Sequence, residues 1–247
     1  CTIGVDIGTS SSKGVLVDAE GAILASATVA HDVQRPRTGW VEMDGRIWWD
    51  EFVQITRELL AEVSTRELDV EIAAVGVSGM GPCVLLADDA DEPVRPAILY
   101  GVDTRATAQI DRMTAELGVD DITRVGGSTL TTQAGGPKIV WIADEEPAAY
   151  AAARRLFMPA SWLARHLTGA YVLDHQSASQ VSPLYDVERE EWHAGNWARF
   201  APGIEAPRLL WAGDIAGTVT DAAAATTGPP AGTPVIAGTI DAWSEAV

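Results

Sequence analysis

The chain has 247 residues, 47% of them hydrophobic, with 35 acidic against 17 basic side chains and a net charge of −18. That length allows one large domain or two small ones, and the apolar content supports a sizeable core. The acidity argues against nucleic acid and anionic membrane as partners and fits an acidic, solvated surface. The two cysteines, Cys1 and Cys83, make no disulfide framework and fit a reducing compartment. The first residues do not read as a signal peptide, and no apolar run is long enough to span a bilayer, so cytoplasm is the expectation.

Three strands open the chain, over residues 2–7, 13–18 and 22–29, each an apolar run bounded by turn residues. The first delivers one carboxylate, Asp6, to its carboxyl end. Gly8, Thr9, Ser10, Ser11 and Ser12 then turn the chain, and Lys13 starts the next run. A glycine lets backbone N–H groups approach an anion, the hydroxyls add donors and the lysine adds positive charge. Asp6 would repel a bare phosphate, so a divalent cation has to lie between them. From these residues alone, an ordinary β-hairpin turn rich in glycine and serine is an equal alternative. Lysine is otherwise scarce, since Lys13 and Lys138 are the only two. No Gly-x-x-x-x-Gly-Lys-Ser/Thr or Gly-x-Gly-x-x-Gly segment leads from strand to helix. The turn joins strand to strand, which points to a hairpin-type phosphate site and away from Walker and Rossmann loops.

Residues 31–44 are irregular and end in Gly39-Trp40-Val41-Glu42-Met43-Asp44. Asp44 is placed to cap a helix from Arg46 to about Val63, with Trp48, Phe52, Ile55 and Leu59 on one face. A buried strand follows over 72–78, then strands near 83–87 and 97–100 and a helix near 103–117. Residues 137–200 read mainly as helices, with Val140, Trp141, Trp162, Leu163 and Leu167 as core candidates. A last strand, 234–237, runs into Gly238-Thr239-Ile240-Asp241 and a helix start. Strands followed by crossover helices predict an α/β domain with ligands at the carboxyl ends of strands. The sequence stops just inside that last element, which reads as a fragment with more protein downstream. His31, His166, His175 and His193 lack metal-ligand spacing and read as surface or core residues. No Gly-x-Ser-x-Gly nucleophile motif is present.

Four segments occur in this order: Asp6-Ile7-Gly8-Thr9-Ser10-Ser11-Ser12-Lys13, Gly39-Trp40-Val41-Glu42-x-Asp44, Asp103-Thr104-Arg105 and Gly238-Thr239-Ile240-Asp241. Each is weak alone, but together they resemble the N-terminal domain of the FGGY carbohydrate kinases over the whole chain. Arg95-Pro96-Ala97-Ile98-Leu99-Tyr100, Gly136-Pro137-Lys138 and Ser177-Ala178-Ser179 look like the xylulose kinase branch. The resemblance implies an RNase H-like, actin-like fold, with residues 1–247 as the substrate-side lobe. The C-terminal nucleotide-binding domain would be absent from this chain.

The resemblance also implies roles. Asp241 matches the general base that takes the proton from the attacking sugar hydroxyl; on its own it reads rather as a helix N-cap. Asp6 would face the Mg²⁺ of Mg-ATP, through water. Gly8, Thr9, Ser10 and Ser11 would donate to the phosphoryl group of ATP. Lys13 stands where glycerol kinases carry an arginine, with a solvated strand face as its alternative. Asp103 and Arg105 would bind substrate hydroxyls, Asp103 also being suited to cap the 103–117 helix. Trp40 packs near the sugar entrance or serves as a buried structural tryptophan.

The chain departs from the family at Ser78-Gly79-Met80-Gly81-Pro82, where glycerol kinases place Gln-Arg-Glu and xylulose kinases Gln-Met-His. Met80 and Gly81 would line the substrate with no charge, which disfavours glycerol and leaves room at Gly81 for a longer or branched polyol. The expected acceptor is a ketopentose or related polyol of four to six carbons. The expected partners are that substrate and ATP, with a homodimer left open. A catalytically silent sugar-binding or scaffold protein on the same fold is the alternative, and an actin-like or chaperone-type ATPase a weaker one.

Overall fold

The computed structural model describes residues 1–245. Strands β1 (Thr2–Ile7), β2 (Ser11–Val17) and β3 (Ile23–Ala30) form an antiparallel meander. In β1 the alternation puts Ile3, Val5 and Ile7 on the buried face and Gly4 and Asp6 on the other. Helix α1 (Arg46–Thr65) crosses over this sheet and packs Trp48, Phe52, Ile55 and Leu59 into the core without exposure. It approaches β2 at Gly14, where a Cβ would fall 2.2 Å from Ile55 Cγ2. Gly45, not Asp44, occupies the N-cap position; the Asp44 carboxylate still accepts the Arg46 N–H at 3.0 Å.

Strand β4 (Ala74–Gly79) then pairs parallel with β1, aligning Ser78 with Asp6. Late in the chain β5 (Ile215–Thr218), β6 (Pro234–Ile236) and β7 (Thr239–Ile240) complete the sheet. The order is β5-β6-β4-β1-β2-β3, with β7 beside β4 at Thr239 and Ile240. Helix α2 (Pro159–Thr168) buries Trp162, Leu163 and Leu167 in the core shared with α1. A second core gathers Ile139, Val140, Trp141, Leu156 and Leu184 beneath the intervening helices.

An antiparallel meander, a crossover helix and further parallel strands give the α/β, RNase H-like (actin-like) lobe that the sequence predicted. Among the described residues no helix is long and apolar enough to cross a membrane. Several boundaries differ. β2 starts at Ser11, because Ser11 and Ser12 pair with Ala30 and Val29. The helix expected near 103 begins at Thr107, since Asp103 pins a turn ahead of it. The segment read as mainly helical also holds short strands at Arg155–Phe157 and Val172–Asp174.

Candidate active site

The carboxyl ends of β1, β4 and β7 meet and bring together Asp6, Ser78 and Asp241. Parallel pairing is the cause: β4 lies between the other two, with Ser78 in register with both Asp6 and Thr239. Ser78 Oγ donates to Asp6 Oδ1 at 2.7 Å. Gly238 makes the bend into β7 at φ +70°, and a Cβ there would lie 2.1 Å from the Val77 carbonyl oxygen, so only glycine fits. Asp241 is the first residue of a short helix, Asp241–Ser244, whose N-cap is Ile240. Its Oδ1 accepts the Ala242 N–H at 2.7 Å. Burial, assisted by the Asp6 charge, pushes the Asp241 carboxyl above the usual aspartate range. Two carboxylates separated by almost the whole sequence thus share one electrostatic environment.

The turn after β1 is closed by the Gly8 N–H donating to Ser11 O at 3.1 Å. Thr9 Oγ1 lies 3.0 Å from the Tyr100 hydroxyl, tying the turn to the segment that precedes Asp103. Ser10 is exposed and Ser11 half-buried. Lys13 is exposed opposite Asp6 on the sheet face that α1 leaves open. There Gly4, Asp6, Lys13, Val15, Gly76 and Ser78 line a cavity of about 390 Å³.

The sugar-side residues are disposed differently from expectation. Met80 is 1% exposed and belongs to the main core. The space beside Gly81 is filled by protein, since a Cβ there would fall 2.6 Å from Ile240 Cγ1. Both Asp103 oxygens are engaged: Oδ2 accepts from Val41 N–H at 2.6 Å and Arg105 Nη2 at 2.7 Å, and Oδ1 from Arg105 Nε at 2.9 Å. The Arg105 side chain is fully buried, donates also to Glu42 at 2.6 Å, and stacks 4.1 Å above the Trp40 ring. Arg95 extends the network to Glu42 and Glu146. These groups knit the Gly39–Glu42 segment to the 103–105 turn, and Asp103 is not the cap of a helix.

Two further residues near the site carry no role there from the sequence reading. Cys83 is fully buried, and burial pushes its thiol up to about 12; it feels both the Lys138 ammonium and the Asp241 carboxylate. Lys138 is 1% exposed, and its Nζ has no hydrogen-bond partner among the described residues. Burial lowers its pKa to about 8, opposed by Cys83 and Asp103. Lys138→Met is therefore expected to raise the unfolding temperature by about 5 °C, removing about 2 kcal/mol of desolvation cost. A lower melting temperature would show the amine to be paired. The pH dependence has a definite sign: between about 8 and 10.5 the unfolded chain binds the extra proton, so the wild type gains stability relative to Lys138→Met as pH rises. The carboxylate–hydroxyl set around Asp6 suits a hard divalent cation. Among the described residues no group of three or more His, Cys, Asp or Glu side chains forms a metal cage. Phosphate oxygens and water would have to complete the shell.

Known proteins share this sequence pattern and fold. The family described as the FGGY family of carbohydrate kinases, N-terminal domain, matches residues 1–247. A xylulose kinase from Streptomyces rubiginosus is 33% identical over 227 residues, 89% of this chain and 44% of that protein. A glycerol kinase from Nocardia farcinica is 34% identical over 228 residues, 87% of this chain and 44% of that protein. The crystal structure of xylulose kinase from Rhodospirillum rubrum superposes with a TM-score of 0.93 at 30% identity, covering 99% of this chain and 49% of that one. The chain spans about half the length of the relatives it matches. With its meander, its crossover helix and its paired carboxylates at strand ends, the chain belongs to the FGGY family of carbohydrate kinases, as an N-terminal domain.

Proposed function

We propose that the protein carrying this domain transfers a phosphoryl group from ATP to a hydroxyl of a sugar or polyol. The observation that carries this reading is the convergence of Asp6 and Asp241 at the ends of two strands that flank β4, beside a glycine- and hydroxyl-rich turn. Asp241 is the general base. Its carboxyl, pushed up by burial, is better matched to accepting a proton than an ordinary aspartate. The loose transition state of phosphoryl transfer asks little of a base, so holding the acceptor hydroxyl in line is the larger part of the task. Gly8 shapes the turn, its own N–H bonded to Ser11 O, and Thr9, Ser10 and Ser11 present N–H and O–H donors to the transferring group. Asp6, oriented by Ser78, would hold Mg²⁺. When bound, Mg²⁺ neutralises charge on the phosphate oxygens.

The matched relatives are named for xylulose and for glycerol, so names do not choose the acceptor. We favour a ketopentose or related polyol of four to six carbons, because the 80–82 segment offers no charged side chain. With Asp103 and Arg105 committed to each other, they support the sugar side by holding Trp40 and Glu42 in place. The test is a phosphorylation screen of the full-length protein against pentuloses, hexuloses, tetritols and glycerol. ATP-dependent phosphorylation of at least one is expected. Sugar binding without turnover on any would sink the kinase reading and favour a silent sugar-binding protein.

A further inference from the structure

Behind the turn that follows β1 lies a buried group that the proposed chemistry does not use. His31, just past β3, touches the turn twice. Its backbone N–H donates to Ser10 O at 3.1 Å, and its ring Nε2 lies 3.1 Å from Gly8 O. The far side of the ring is held by α1: Nδ1 lies 2.9 and 3.0 Å from the two Glu51 carboxylate oxygens. Glu51 in turn accepts from the Ser12 hydroxyl. The His31 and Glu51 side chains are 6% and 9% exposed, so water is largely excluded from the pair.

A carbonyl oxygen accepts and never donates, so Nε2 must carry a proton to meet Gly8. The Nδ1–Glu51 contact holds one further proton, on either partner, and the Nε2–H bond to Gly8 is the same in both cases. The geometry at the turn follows from this. A trans peptide points its N–H opposite to its C=O. Drawing the Gly8 and Ser10 carbonyls toward His31 turns the Thr9 and Ser11 N–H groups away from it. An anion is then met by N–H groups, while the repelling carbonyls stay on the far side.

We propose that His31, fixed by Glu51, is a positioning residue that sets the peptide orientation of the Gly8–Ser11 turn for phosphate. This rests on the kinase reading above. In the full-length protein, His31→Leu is expected to lower kcat/KM for Mg-ATP about tenfold, the loss of one oriented hydrogen bond. The KM for the sugar should stay within about twofold, because the change acts on the phosphate side only. His31→Gln, whose amide N–H can reach Gly8 O, should recover most of the loss. Amide exchange followed by mass spectrometry should show residues 8–12 opening faster in His31→Leu and near normally in His31→Gln. Unchanged Mg-ATP kinetics in a folded His31→Leu would overturn the proposal, as would equal losses in the Leu and Gln variants. If wild-type protein phosphorylates none of the acceptors, the kinase reading fails instead. Exchange at residues 8–12 still decides whether His31 holds the turn, and unaltered exchange in His31→Leu overturns that as well.

Discussion

Asp241→Asn in the full-length protein is expected to lower kcat about a thousandfold while leaving sugar affinity within about threefold. Asparagine keeps the size and the acceptor oxygen of the side chain but cannot take the proton of the attacking hydroxyl. The Ala242 N–H can still be accepted, so the start of the terminal helix should hold and the melting temperature should barely move. Because burial and the Asp6 charge push the Asp241 carboxyl up, the acidic limb of the rate profile should lie above the range of an ordinary aspartate. That limb should vanish in the variant. A kcat within tenfold of wild type would remove Asp241 as the base, whatever its affinity for sugar.

Arg105→Met carries the second large effect, this time on stability. Arg105 is fully buried between Asp103 and Glu42, and its guanidinium stacks on Trp40 and, at 4.9 Å, on Trp141. Methionine fills much of the volume but strands the Asp103 carboxylate away from water, while Glu42 keeps Arg95. Breaking a buried pair in this way costs about 3–5 kcal/mol, a drop of roughly 10 °C for a domain of this size. Asp103→Leu added to Arg105→Met should recover part of that loss, since the stranded charge is then gone. Chemical denaturation of the three variants measures the coupling directly. An unchanged midpoint in Arg105→Met would show that the network contributes little beyond geometry.

The parts legible in the sequence were those written as local pattern. Ile3, Val5 and Ile7 alternate, and Trp48, Phe52, Ile55 and Leu59 recur at helical spacing; both sets are buried as read. Asp6 drew attention because it ends an apolar strand run, where ligands of α/β sheets sit, and Asp241 through the segment that resembles the family. Asp103 looked like a sugar ligand or a cap because a motif does not show where a guanidinium will fold back. Its partners Val41 and Arg105 engage it through tertiary closure. Met80 and Gly81 read as a roomy pocket, but the room is taken by the core and by Ile240. Lys138, seen only as part of a motif, and His31, read as a surface or core residue, were not placed beside the site, and Glu51 gave no signal, because burial of a charged residue depends on elements distant in sequence.

The strand-end site also has a kinetic consequence. Thr239 and Ile240 pair with Ser78 and Gly79 across most of the domain's length, and Asp6 joins through the other edge of the same strand. Contacts so remote in sequence carry a large loop-closure cost and slow the folding of proteins that depend on them. Asp241 reaches Asp6 only once the last strands have docked. A partly folded chain, or one stalled before residue 239, holds the hydroxyl-rich turn without its opposing carboxylate, and with the roles proposed above it would be catalytically mute.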